Sequence, residues 1–174
     1  VDLCAEPALR EVFAQERPEA ICHLAAKANV RESMIKPVLY AQVNVLGSLV
    51  LLELAREYGC RKIVYASTGG AVYGEPEYLP VDESHPINPL DPYGASKHHV
   101  EHYLFIYRKH YGLDFTSLRY PNVYGPRQDP YGEAGVVAIC TAQMLNDGAP
   151  VINGSGEQER DFVYVGDIAR ANVL

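Results

Sequence analysis

Short apolar runs alternate along the chain with longer stretches of helical periodicity. Ala20-Ile21-Cys22-His23-Leu24, Lys62-Ile63-Val64-Tyr65-Ala66 and Phe115-Thr116-Ser117-Leu118-Arg119 are compact enough to read as strands. Between them lie segments of helix length. Pro7 to Glu16 opens on a proline, which suits a first helical turn because the missing N–H would have no partner there. Pro37 to Tyr58 is long and apolar, and Gly59 closes it. Asp91-Pro92 reads as an N-cap followed by proline at the first helical position, predicting a helix to Gly112. Strand, helix, strand in this rhythm implies right-handed crossovers and a parallel sheet, hence an α/β fold. Strands covered on both faces should be almost continuously apolar, as these runs are.

After Tyr120 the pattern changes. Residues 121–133 hold proline-containing turns and glycines; a helix then fits Val136 to Asn146, stopped by Asp147-Gly148. Arg160 to Val165 reads as a strand, with Asp167 as the cap of a final helix. The expected division is 1–120 and 121–174. Val1 is not methionine, and Asn172-Val173-Leu174 lies inside an apolar pattern, so truncation is expected at both ends.

Composition narrows the function classes. The 174 residues suit one domain, with 48% hydrophobic and 21% charged residues, a globular balance. The formal charge of -7 argues against nucleic acid as a partner. No apolar run approaches the roughly 20 residues that span a bilayer, so no membrane is expected. Cys4, Cys22, Cys60 and Cys140 are scattered and form no C-x-x-C pair, which fits free thiols in the cytoplasm. His98 and His102 share a helix face but lack a third ligand, so no metal is expected. The tyrosines from Tyr103 to Tyr111 recur at helical spacing, as core and subunit-surface positions do.

The candidate chemistry starts from Tyr93-Gly94-Ala95-Ser96-Lys97 at a helix start. A spacing of one helical turn puts the phenol and the ammonium on the same face. A free tyrosine ionises near pH ~10 and is a poor base at neutral pH. A nearby ammonium favours phenolate and brings it toward the working range. Upstream, a predicted strand ends in Ser67-Thr68-Gly69-Gly70. A hydroxyl at the carboxyl end of a parallel strand sits where such sheets bind ligands, and the glycines allow close approach.

Several further motifs occur in order: His23 to Ala26, Asn29 to Ser33, Asn44 to Ser48, Ser67 to Gly74, Tyr93 to Lys97, Leu118 to Gln128 and Arg160 to Val165. Together they resemble the extended short-chain dehydrogenase/reductase family acting on nucleotide sugars, over essentially the whole chain. The resemblance implies a Rossmann-like doubly wound sheet that lacks its first strands and glycine loop. It also implies that 1–120 is an incomplete NAD(P)-binding part and that 121–174 begins a nucleotide-sugar-binding part. The implied reaction is epimerisation at carbon 4 of a UDP-hexose through a 4-keto sugar with tightly bound NAD, in a cytoplasmic homodimer. Asp2, Leu3, Leu24, Ala25, Ala26, Asn44 and Tyr120 fall at cofactor positions. Thr68, with Ser67 beside it, falls at the catalytic hydroxyl; Tyr93 at the acid/base; Lys97 at the residue holding the nicotinamide ribose. Asn122 and Arg160 fall at positions contacting the UDP diphosphate, a task that suits a guanidinium. Val136 and Val137 fall where the nucleotide base is packed.

Three departures stand out. The G-x-x-G-x-x-G loop and its flanking strands are missing, so this chain alone is expected to bind NAD weakly and to be inactive. Pro121 stands where relatives carry an aromatic residue. The loop at Thr68 is one residue longer than in many relatives, so the sequence does not separate Ser67 from Thr68. Dehydratases of this family carry Asp-Glu after the catalytic threonine, and decarboxylases keep a glutamate in that loop. Gly69 and Gly70 can supply neither, which favours epimerisation. A scaffold that kept the fold without activity is a reading of another class, and intact Thr68, Tyr93 and Lys97 argue against it.

Overall fold

Three strands, β1 (Ala20–His23), β2 (Lys62–Thr68) and β3 (Asp114–Tyr120), form one sheet in that order. β1 and β2 are parallel, with Ala20 opposite Lys62 and His23 opposite Tyr65. The computed structural model describes residues 2–132, 135–152 and 154–174. These divide into two compact units, Val1–Arg119 and Tyr120–Leu174.

The first unit is built from α1 (Glu6–Glu16), the sheet, and the helices that cross between its strands. The β1–β2 crossover carries α2 (Val30–Ile35) and the long predicted helix. That helix runs in three pieces: α3 (Pro37–Tyr40), a π-helical turn over Ala41–Leu46, and α4 (Gly47–Glu57). Its 21 residues are long and apolar enough to cross a membrane, contrary to the run-length reading of the sequence. Packing accounts for this composition. Tyr40, Leu52, Leu54 and Ala55 are almost wholly buried, and Leu51, Leu52, Leu54 and Ala55 join the core with Leu9, Phe13, Ile63 and Leu104. Each such leucine contributes about 2 kcal/mol on leaving water.

The β2–β3 crossover carries α5 (Pro92–Tyr111), whose ends match the sequence signals. The Asp91 carboxylate accepts from the Gly94 amide at 2.8 Å. Gly112 stops the helix at φ +72°, the left-handed geometry glycine adopts without cost. Within the first turn, a β-carbon on Gly94 would lie 2.6 Å from the Ala71 carbonyl oxygen. Only glycine lets α5 press this closely on the loop after β2.

Some expectations need correction. β1 lies at the sheet edge with Ala20 and Cys22 exposed, so continuous burial holds only for β2, the central strand. α2 begins where Asn29 Oδ1 accepts from the Glu32 amide, a capping signal the apolar periodicity does not carry. In the second unit, β4 (Asn122–Tyr124) lies within the segment read as turns, and pairs in parallel with β5 (Phe162–Tyr164). Two helices, α6 (Val136–Leu145) and α7 (Val165–Val173), complete that unit. Asp167 is not a cap. The helix starts two residues earlier, at Val165, and Asp167 lies in its first turn, paired with Arg170.

Candidate active site

β2 delivers two hydroxyls at its carboxyl end, and pleating sends neighbours to opposite sides. Thr68 stands beside the Tyr93 phenol and favours its ionised form, whereas the buried Ser67 faces the Glu101 carboxylate without reaching hydrogen-bonding geometry. The structure thus separates the two residues that the sequence left equivalent. Tyr93 is half-buried at the start of α5, where the Asp91 cap and the tight Gly94 contact hold it.

Burial pushes the Tyr93 phenol above its ordinary value, the neighbouring Thr68 hydroxyl opposes this, and Asp91 adds to the rise. The expectation that Lys97 brings this phenol down is not met in the protein by itself, because desolvation outweighs the other influences. Lys97 is 3% exposed, and its Nζ lies 4.4 Å from the centre of the Tyr65 ring, a cation–π contact. Burial lowers the ammonium from 10.5 to about 8, with Glu101 pulling the other way.

A hydrogen-bonded frame surrounds this pair. Asn44 is buried in the π-helical turn, and its Oδ1 accepts from the Lys27 amide at 2.8 Å. Its Nδ2 donates to the Lys27 carbonyl and to Ser96 Oγ, both at 2.9 Å. Ser96 in turn donates to the Tyr93 carbonyl at 2.7 Å. Asn44 therefore ties the loop after β1 to the first turn of α5, with both amide protons engaged inside the protein. A π-turn in mid-helix is uncommon and often marks a functional position.

His23 closes the floor. Its Nε2 lies 2.8 Å from Ser48 Oγ, and Ser48 donates to the Asn44 carbonyl at 2.5 Å. A hydroxyl has one proton, and Ser48 has committed it, so His23 Nε2 must be the donor. The ring is neutral: burial first, then the Lys97 charge, lowers it to about 4.

The other cofactor positions inferred from the resemblance are more open. Leu24 is 58% exposed and Ala25 is exposed beyond the carboxyl end of β1, with Ala26 half-buried. Asp2 is exposed, its carboxylate accepting from the Cys4 amide, and Leu3 packs against Gly47. Tyr120 ends β3, and its hydroxyl exchanges hydrogen bonds with the Asn172 amide in the second unit.

That second unit contains two hollows of about 340 and 260 Å³ that share Tyr124, Gln128 and Val137 as walls. Asn122, Val136 and Val137 line the smaller one, with Pro121. Arg160 does not line it. It is exposed, and its Nη1 donates to the Glu159 carbonyl at 2.6 Å. The two diphosphate candidates are nevertheless close in the strand pair, since Asn122 Nδ2 donates to the carbonyl of Asp161, next to Arg160.

Sequence reasoning missed Glu101 and gave Arg119 no role. Glu101 Oε1 accepts from Ser117 Oγ at 2.9 Å and from Arg119 Nε at 3.0 Å, and Oε2 accepts from Arg119 Nη2 at 2.8 Å. Burial pushes this carboxyl up, but the Arg119 donors and their charge, with both serines, hold it at about 2. The available signal was spacing: Glu101 follows Lys97 by one helical turn.

Comparison with known proteins identifies the family of the chain. The model of the NAD dependent epimerase/dehydratase family matches residues 1–174. A putative UDP-glucose 4-epimerase of Methanocaldococcus jannaschii is 56% identical over 156 residues, covering 90% of this chain and 51% of that protein. The UDP-glucose 4-epimerase of Thermotoga maritima, crystallised with UDP-glucose, superposes with a TM-score of 0.96 at 48% identity, covering 99% of this chain and 56% of its own. The Thermus thermophilus UDP-glucose 4-epimerase in complex with NAD gives 0.91 at 49% identity, with 99% and 58% covered. The chain spans about half the length of the relatives it matches. A family model that matches all 174 residues, with these relatives and superpositions, leads to one assignment: the chain belongs to the NAD-dependent epimerase/dehydratase family.

Proposed function

We propose that the full-length protein epimerises carbon 4 of a UDP-hexose of the UDP-glucose/UDP-galactose type, using tightly bound NAD and a 4-keto sugar. The observation that carries this reading is the juxtaposition of Thr68 at the end of β2 with Tyr93 at the start of α5, Lys97 lying one turn further along that helix and Gly69-Gly70 standing after Thr68 in place of any acid or base. Dehydration would need a further acid and base beside the sugar, and those two glycines cannot provide them.

The open end of β1 fits a dinucleotide. Leu24 is an exposed apolar side chain at the carboxyl end of a parallel strand, and Ala25 and Ala26 beside it are small enough for close approach. Asp2 and Leu3, with Tyr120, complete the proposed cofactor positions, while Asn44 holds the adjoining loop. NAD, when bound, supplies the hydride acceptor and returns the same hydride. Tyr93 would act as phenolate, ionised once the positive charges of Lys97 and bound NAD together offset its burial, and would take the proton of the sugar's 4-hydroxyl, with Thr68 beside it to share that proton. Lys97 orients the cofactor ribose and contributes positive charge. Asn122 and Arg160 hold the diphosphate, and Val136 and Val137 pack against the base, so that the sugar can turn while the nucleotide stays anchored. None of the four cysteines is in a disulfide among the described residues, in keeping with a cytoplasmic protein. Exposed Met34, Val38, Phe105 and Ile106 offer apolar surface for a homodimer.

The test uses the full-length protein with UDP-galactose. The expected product is UDP-glucose of unchanged mass. Tyr93→Phe should cut turnover by roughly two to four decades with UDP-sugar affinity retained, the usual scale for acid–base catalysis. A product lighter by one water, or near-wild-type epimerisation by Tyr93→Phe, would overturn the reading.

A further inference from the structure

We propose that Ser96 is a positioning residue that couples the loop after β1 to Tyr93 and Lys97: its hydroxyl, held by Asn44, sets the rotation of α5 about its own axis. The proposal rests on the reading that Tyr93 and Lys97 carry the reaction with NAD beside Ala25 and Ala26, and it adds a residue to which that reading gives no part.

The hydrogen bonds around Ser96 admit one assignment. Ser96 and Asn44 are both buried, 4% and 1% exposed. Asn44 meets both backbone groups of Lys27. An amide N–H can only donate and a carbonyl can only accept, so Oδ1 must face the Lys27 amide and Nδ2 the Lys27 carbonyl. With that orientation fixed, Nδ2 donates its other proton to Ser96 Oγ at 2.9 Å. Ser96 then has its own proton to give, and gives it to the Tyr93 carbonyl at 2.7 Å. The backbone that carries Asn44 is held as well, since Ser48 donates to the Asn44 carbonyl and His23 donates to Ser48. The series Lys27–Asn44–Ser96–Tyr93 is therefore a set of direct contacts from the loop after β1 to the first turn of α5.

Position in the helix gives this contact its leverage. Ser96 follows Tyr93 by three residues and immediately precedes Lys97. Successive helical residues point about 100° apart, so a hold on Ser96 fixes the directions of Tyr93 and Lys97 together. Gly94 supplies a second hold, pressed so closely on the Ala71 carbonyl that a β-carbon would lie 2.6 Å from its oxygen. One contact would act as a pivot; two, on different faces of the turn, stop the helix from rolling. A roll of about 10° would carry the Tyr93 hydroxyl, roughly 9 Å from the axis, by about 1.5 Å. A misplacement of about 1 Å can cost about two decades in rate. The side chain that holds Ser96 also holds the Lys27 backbone, next to Ala26. A ligand that orders this loop therefore strengthens the hold on α5, and by reciprocity a loosened Ser96 weakens that ligand.

The experiment is Ser96→Ala in the full-length protein, a change that removes one oxygen and keeps a good helix former. Three quantities are read: kcat and KM with UDP-galactose, and the NAD dissociation constant by calorimetry on cofactor-free protein. kcat should fall about 10- to 100-fold. KM should stay near wild type, since the proposed nucleotide-anchoring residues belong to the second unit. The NAD dissociation constant should rise about fivefold, the effect of one hydrogen bond. If Ser96→Ala does not fold, Ser96→Cys, which keeps a weak donor and acceptor at that place, should show the same changes in smaller degree. Wild-type kcat or wild-type NAD affinity in the folded variant would overturn the proposal, and a lower melting temperature alone would mean that the serine is structural only. A rise in KM in place of the fall in kcat would put the effect in sugar binding and would overturn it too. NAD affinity is measured without sugar, so its failure is distinct from a failure of the epimerase reading, which Tyr93→Phe decides.

Discussion

Replacing Lys97 by methionine should stabilise the protein while abolishing its activity. The side chain is 3% exposed, and burial depresses the ammonium from 10.5 to about 8. At about 1.4 kcal/mol per pH unit, that depression corresponds to about 3 kcal/mol of stability lost at neutral pH. Methionine fills a similar volume without charge. It gives up the cation–π contact with Tyr65, worth about 1 kcal/mol, which leaves a net gain of about 2 kcal/mol. The sign follows from proton binding. Between pH 8 and 10.5 the unfolded lysine keeps its proton and the folded one releases it, so wild-type stability rises with pH across that window. The methionine variant lacks this rise, so its advantage should be full below pH 8 and shrink above it. Urea denaturation of cofactor-free, full-length protein at pH 7 and at pH 9.5 measures both quantities. A variant no more stable than wild type at pH 7, or an advantage that does not change with pH, would refute the reasoning. Stability gained by removing a working group is the trade-off expected of a functional site.

Other perturbations probe the frame. Gly94→Ala would place a β-carbon 2.6 Å from the Ala71 carbonyl and 3.1 Å from Pro89 Cβ. Overpacking should exceed the gain in helix propensity, giving a net loss of about 1–2 kcal/mol by denaturation and lower turnover as Tyr93 lifts from Thr68. His23 must stay neutral, and its value falls from 6.5 unfolded to about 4 folded. Its contribution is complete above pH 6.5 and is lost as pH falls toward 4, about 3 kcal/mol in all. Acid-denaturation curves of His23→Gln should lack that component. An unchanged acid limb in this variant would show that His23 is not held neutral.

Much of the chain's local structure was legible in the sequence. Asp91-Pro92 and Gly112 delimit α5 because caps act through neighbouring backbone groups, and the N-cap bond Asp91–Gly94 spans three residues. The spacing of Tyr93 and Lys97 fixes a shared helix face for the same local reason. α2 and β4 were missed because six and three residues carry too little periodicity to be read. The π-helical turn at Asn44 was missed because apolar spacing marks a helix face but not where a turn widens.

The tertiary structure decided the partnerships. Ser67 and Thr68 have similar chemistry and adjacent positions, and only the sheet's placement against α5 gives Thr68 to Tyr93 and Ser67 to Glu101. The His23–Ser48–Asn44 chain joins β1 to the long helix across 25 residues, and Arg119 meets Glu101 across 18. Ion pairs and proton positions depend on distance and burial between elements, which a linear order of residues does not contain. The sequence by itself determined which groups were available, the hydroxyls, the phenol and the ammonium. Their charge states depended on the tertiary structure, because burial and facing partners set the cost of each charge.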